Sequence, residues 1–186
     1  WLGYNDSTFP IHALGSIIPK KDVVHCKKVI YATNNEENDP KKNPMDFAVI
    51  ELEEEVTHIE PLKVSLSELT KGQRVATIGH PNGLPAKYSG LSTLKANYQT
   101  TLSSFMDTLS GNSGGPAFNI RGEVVGILIA GHQFDTYFDS KNKCDRINTC
   151  TINGKNCNED TEFDNSNLLM KSQVWYPYVK KYLSEQ

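Results

Sequence analysis

The chain has 186 residues, a formal net charge of −3 and 38% hydrophobic residues. That length allows one large domain or two small ones around a substantial core. The near-balanced charge gives no electrostatic footprint for nucleic acid or an anionic membrane. The longest apolar run, Val124 to Ala130, is far too short to span a bilayer. The sequence opening at Trp1 lacks a signal-peptide pattern, so an exported form is expected to have lost its targeting segment already.

In chain order, the first 43 residues end in a polar, charged stretch from Asn34 to Asn43 that reads as an exposed loop. Asp46-Phe47-Ala48-Val49-Ile50-Glu51-Leu52 follows as a strand with a carboxylate at its mouth, a costly placement unless the aspartate is solvated or paired. Glu60 to Leu69 reads as a link between two β units, and Gln73 to Gly79 as a further strand closed by the Pro81-Asn82-Gly83 turn. After Glu123 to Ala130, another strand, comes a polar stretch from Lys141 to Asp160 holding Cys144, Cys150 and Cys157. With Cys26, these are all the cysteines. Their spacing is wider than that of zinc-binding pairs and no histidine lies among them, so disulfides in an oxidising compartment are expected. Three clustered cysteines leave one over, which would reach Cys26 or a partner chain. Trp175, Tyr178, Val179, Tyr182 and Leu183 then fall on one face of a helix, with Pro177 expected in its first turn. Many short strands and one terminal amphipathic helix indicate an all-β barrel or sandwich.

The run Gly111-Asn112-Ser113-Gly114-Gly115-Pro116 carries the chemistry. Glycines on both sides of a serine permit a tight, exposed turn and a close approach of substrate to the main chain. The Gly111 and Ser113 N–H groups are candidates for stabilising the oxyanion of acyl transfer. Asp46 is the candidate for orienting an imidazole beside the Ser113 hydroxyl.

Four segments together, Asp46 to Leu52, Ile78-Gly79-His80-Pro81-Asn82-Gly83-Leu84-Pro85, Gly111 to Asn119 and Val125-Gly126-Ile127-Leu128, resemble the trypsin/chymotrypsin superfamily of serine proteases. The resemblance runs from about residue 1 to the final helix and is closest to bacterial trypsin-like and glutamyl-endopeptidase-like members. It implies two antiparallel six-stranded β-barrels with the active site between them, the first barrel incomplete in this chain, and a C-terminal helix. The boundaries it suggests are 1–63 for the remainder of the first barrel, 64–171 for the second and 172–186 for the helix. It implies Ser113 as nucleophile, Asp46 as the triad aspartate, Gly111 with Ser113 as oxyanion hole, and no cofactor or metal. Asp107, six positions before Ser113, would form the base of the primary specificity pocket beside Thr108 and pair with an Arg or Lys side chain. Ile129-Ala130-Gly131 would pair with the substrate backbone, and Gly131 would leave room for a long side chain. Leu128 stands where glutamyl endopeptidases carry a histidine, which argues against acidic specificity. Asn112 stands where pancreatic-type relatives carry an aspartate that pairs with a freed N-terminus, so that ion-pair switch is expected to be absent.

The general base is the departure. The superfamily places its histidine in a small-residue–His–Cys motif upstream of the aspartate. His25-Cys26 imitates the motif but lies close to Asp46 and is followed by Lys27 and Lys28. His12 is weaker, His80 would give a subtilisin-like order on the wrong fold, and His132 lies beyond the substrate strand. Trp1-Leu2-Gly3-Tyr4 resembles the strand that follows the histidine segment in bacterial relatives. The expectation is a secreted or periplasmic serine endopeptidase acting on polypeptide, whose histidine comes from an associated N-terminal fragment outside this chain. The alternative is a protease-fold binding module without catalysis.

Overall fold

The computed structural model describes residues 23–35, 39–131, 136–147, 151 and 166–184. The first ladder joins β1 (Cys26–Asn34) to β2 (Asp46–Leu52), antiparallel, with Asn34 opposite Asp46 at one end and Cys26 opposite Leu52 at the other. A 3-10 turn at Pro40–Lys42 helps reverse the chain between them: the Asp39 side chain accepts from the Lys41 N–H, and Asn43 ends the turn in the left-handed region.

The second unit is a closed six-stranded barrel. β3 (Arg74–Gly79), β5 (Ser92–Asn97), β6 (Thr101–Ser104), β11 (Asn167–Lys171), β8 (Val124–Ala130) and β7 (Pro116–Asn119) pair in that order, and β7 returns to β3 to close the ring. The short β4 (Lys87–Tyr88) pairs with the far end of β3, and β9 (Thr136–Asp139) with β10 (Cys144–Ile147) forms a separate hairpin. Closure leaves the six strands with no free edge along their paired lengths. Alternate residues point inward, and Leu69, Val75, Leu94, Leu102, Met106, Ala117, Val125, Leu128 and Leu169 form one buried cluster. Pro116 is tolerated because it is the first residue of its strand, and its carbonyl accepts from Thr77 Oγ1 at 2.8 Å. The fold is therefore the all-β class read from the sequence, with one closed barrel and, among the described residues, a separate two-stranded ladder.

The segment before β3 makes a parallel bridge, Val64 to Val124, on the barrel wall. The helix α1 (Ser172–Ser184) follows β11 directly and reaches the β1–β2 ladder. Tyr178 packs on Tyr31 (ring centroids 4.2 Å apart) and Phe47 (5.3 Å), and the Tyr182 hydroxyl donates to Glu51 at 2.5 Å. Pro177 sits inside α1, not in its first turn as the periodicity suggested. The helix begins earlier because the Ser172 hydroxyl donates to the Ser65 carbonyl at 2.5 Å, which fixes the chain where β11 ends. Cys26 and Cys144 are both exposed free thiols, and Cys150 and Cys157 lie outside the described residues. The expected disulfides thus have no counterpart among the described residues.

Candidate active site

Four main-chain hydrogen bonds place the Ser113 turn. The Asn112 N–H donates to the Leu109 carbonyl at 3.1 Å, and the Gly115 N–H donates to the Asn112 carbonyl at 2.9 Å. Gly114 and Gly115 then lock onto β8: the Gly114 N–H donates to Leu128 O at 2.8 Å and the Leu128 N–H donates to Gly115 O at 2.9 Å. The turn needs φ of +95° at Gly111 and +83° at Gly114, which only glycine adopts readily. Ser113 itself is exposed at the tip.

The amides of this turn divide into two sets. Those of Asn112, Gly114 and Gly115 all donate within the protein, whereas those of Gly111 and Ser113 donate to no group among the described residues. These two unspent main-chain donors beside the serine are the groups available to an oxyanion.

Asp46 and Ser113 line the same cleft, of about 660 Å³, together with Asn34, Ala48, Gly114 and Ile129. One wall is therefore the end of the β1–β2 ladder, and the other is the serine turn with β8. Asp46 is half-buried at the strand mouth. The cleft thus brings together three of the residues singled out from the sequence: the serine, the aspartate and the first residue of the substrate strand.

No histidine lines this cleft among the described residues. His25 adjoins Cys26, at the end of the ladder opposite to Asp46, and its carbonyl accepts from the Glu53 N–H at 2.9 Å. At about 3.3 Å per strand residue, the length of β2 puts it roughly 20 Å from the aspartate, so it cannot orient on Asp46. His80 lies behind the serine turn, its Nδ1 bonded to the Leu84 carbonyl at 3.1 Å. His12 and His132 lie outside the described residues.

Asp107 lines a second, smaller cavity of about 260 Å³, with Thr77, Pro81, Leu84, Tyr88 and Asn112. Its carboxyl has no hydrogen-bond or ionic partner among the described residues, and partial desolvation pushes its pKa above the usual carboxylate value although the residue keeps an exposed surface. Thr108 points elsewhere. Its Oγ1 accepts from Asn167 Nδ2 at 2.7 Å, and both side chains lie against Gly131, where an added Cβ would stand 2.7 Å from Asn167 Nδ2 and 3.2 Å from Thr108 Oγ1. Asn167, buried with an unpaired Oδ1, is a neighbour of the site that the sequence did not reveal. It opens β11, and nothing in its local pattern distinguishes it from a turn asparagine.

Residues 15–127 match the family model described as the trypsin-like peptidase domain. The chain belongs to that family. Among solved structures, a Glu endopeptidase in complex with MPD aligns with this trypsin-like chain at 15% identity and a TM-score of 0.59, over 90% of this chain and 66% of that one. The Rv3671c protease from M. tuberculosis in its active form aligns at 12% identity and a TM-score of 0.51, over 83% of this chain and 58% of that one. These likenesses show the fold, and the trypsin-like chain spans under two-thirds of the length of these solved proteins. No curated protein matches it. No helix among the described residues is long and apolar enough to cross a membrane.

Proposed function

We propose that this chain carries the nucleophile of a serine endopeptidase that hydrolyses peptide bonds through an acyl-enzyme. The observation that carries the reading is the pair of unspent N–H groups at Gly111 and Ser113, set in a cleft that also holds Asp46. In the proposed cycle, Ser113 Oγ adds to the scissile carbonyl and its proton passes to an imidazole held by Asp46. The carbonyl oxygen, now anionic, takes the two free N–H bonds. Collapse breaks the C–N bond, the imidazolium proton goes to the leaving amine, and water repeats the sequence on the ester. The imidazole is supplied by an associated segment outside this chain; the placement of His25 and His80 away from the cleft supports that assignment.

Two readings of specificity have support. The unpaired Asp107 carboxyl supports cleavage after Arg or Lys. The neutral Thr108–Asn167 pair under Gly131 supports a polar, uncharged side chain, and the position of Asp107 in the second cavity favours this reading. A peptide library digested by the native assembly and read by mass spectrometry separates them. Cleavage after Arg and Lys that falls in Asp107→Asn supports the first, and cleavage after Gln or Asn that falls in Asn167→Ala supports the second. Absence of any cleavage, with Ser113→Ala no different from the parent, would instead identify a protease-fold binding module.

A further inference from the structure

The Pro81–Gly83 turn touches the serine turn from behind at one peptide group. The Asn82 N–H donates to the Ser110 carbonyl at 2.6 Å. Gly111 is pressed so closely onto the same turn that an added Cβ would stand 2.8 Å from His80 O and 3.0 Å from Asn82 N. The Ser110–Gly111 peptide is trans, so its carbonyl and its N–H point in opposite directions. Whatever holds the Ser110 carbonyl therefore also aims the Gly111 N–H, one of the two unspent donors. Rotation of that peptide by half a turn would send the N–H into the barrel side and put a carbonyl oxygen in the hole, converting a donor into a repulsive acceptor.

Asn82 itself is built for this contact. It adopts φ 51° and ψ 30°, the left-handed region, which an asparagine tolerates and a β-branched residue does not. The turn is closed by the Gly83 N–H on His80 O at 3.2 Å, the Leu84 N–H on Pro81 O at 2.9 Å, and His80 Nδ1 against Leu84 O at 3.1 Å. These bonds fix the Asn82 amide at the one point where the serine turn needs a donor.

We propose that Asn82 is a positioning residue for catalysis: its main-chain N–H clamps the Ser110 carbonyl and thereby holds the Gly111 N–H in the oxyanion hole. This rests on the peptidase reading, so the test carries two readouts. The first is the rate at which a fluorophosphonate, whose phosphoryl oxygen occupies an oxyanion hole, labels Ser113 in the native assembly. The second is hydrogen exchange at the Asn82 amide, with exchange at Leu169 and Val125 reporting that the barrel is intact. Asn82→Val, which cannot hold the left-handed turn, should slow the labelling step by roughly 10- to 100-fold with little change in probe affinity, approaching the loss seen when one oxyanion donor is removed. Asn82→Gly, which keeps both the conformation and the N–H, should label within about twofold of the parent. Equal labelling of Asn82→Val with an intact barrel would overturn the proposal. If the parent itself does not label, the peptidase reading fails, and the clamp is judged on exchange alone. Protection of the Asn82 amide that is lost in Asn82→Val upholds it, and an unprotected amide in the parent overturns it.

Discussion

Gly79 and Asn112 test how tightly the barrel wall controls the serine turn. Gly79 ends β3 with ordinary backbone angles, yet an added Cβ would stand 2.3 Å from Asn112 Oδ1, 3.1 Å from its Cγ and 3.4 Å from its Cβ. Asn112 is 6% exposed and lies between the two free donors. Its Oδ1 has no hydrogen bond to lose, so the collision in Gly79→Ala is purely steric. Overpacking of this kind costs about 1–3 kcal/mol, against which the entropic gain of alanine over glycine offsets roughly 0.4–1 kcal/mol. Net destabilisation of up to about 2.5 kcal/mol is expected from these two effects. Asn112→Ala removes the Oδ1 and Cγ atoms and leaves only the ordinary 3.4 Å contact. In that background Gly79→Ala should become neutral or stabilising, which gives a coupling energy of about 1–3 kcal/mol in a double-mutant cycle. Urea unfolding followed by tryptophan fluorescence measures all four corners, and additive effects within about 0.5 kcal/mol would refute the reasoning. The same Gly79→Ala variant should label more slowly at Ser113, because its displaced neighbour carries the Gly111 and Ser113 amides with it.

Lys171 is buried with 7% side-chain exposure and donates to Asn97 Oδ1 (2.9 Å), Tyr98 O (3.1 Å) and Glu68 (3.4 Å); Asn97 and Glu68 are exposed and can rehydrate, so Lys171→Met should lower stability by about 1–2 kcal/mol through the lost charge-assisted bonds. A thermal midpoint within 2 °C of the parent would contradict that role. Glu51 is held at a pKa of about 2, chiefly by the hydrogen bond from Lys27 and then by that from Tyr182. Its folded value lies below its unfolded one, so its contribution is present above about pH 4.5 and is lost as the pH falls towards 2. A carboxyl titration by NMR should show this low midpoint and an upward move in Lys27→Ala; an ordinary midpoint in the parent would refute the cluster.

The parts of the site legible in the sequence are those whose chemistry is local. A serine between glycines forces its own turn, and an aspartate at the head of an apolar strand declares itself by being out of place. β2 and β8 were legible for the same reason, since alternation and turn residues mark both ends. What escaped depends on tertiary pairing. Asn167 matters only because β11 lies between β6 and β8 and brings it under Gly131. Asp107 stands where the family resemblance puts the base of the specificity pocket, and only tertiary packing shows that it lines a cavity with Pro81, Leu84 and Asn112. His25 imitates a motif in sequence and is excluded only by the strand register, which sends it to the opposite end of the ladder from Asp46. Pro177 suits a first turn by propensity, and the bond from Ser172 to Ser65 overrides that preference.

The pH dependence of fluorophosphonate labelling at Ser113 in the native assembly tests the central claim most directly. An imidazole held by Asp46 predicts a rate that rises through an apparent pKa of roughly 6.5–7 and falls by several orders of magnitude in Asp46→Asn. A rate that is flat across that range, or unchanged by the substitution, would contradict the account.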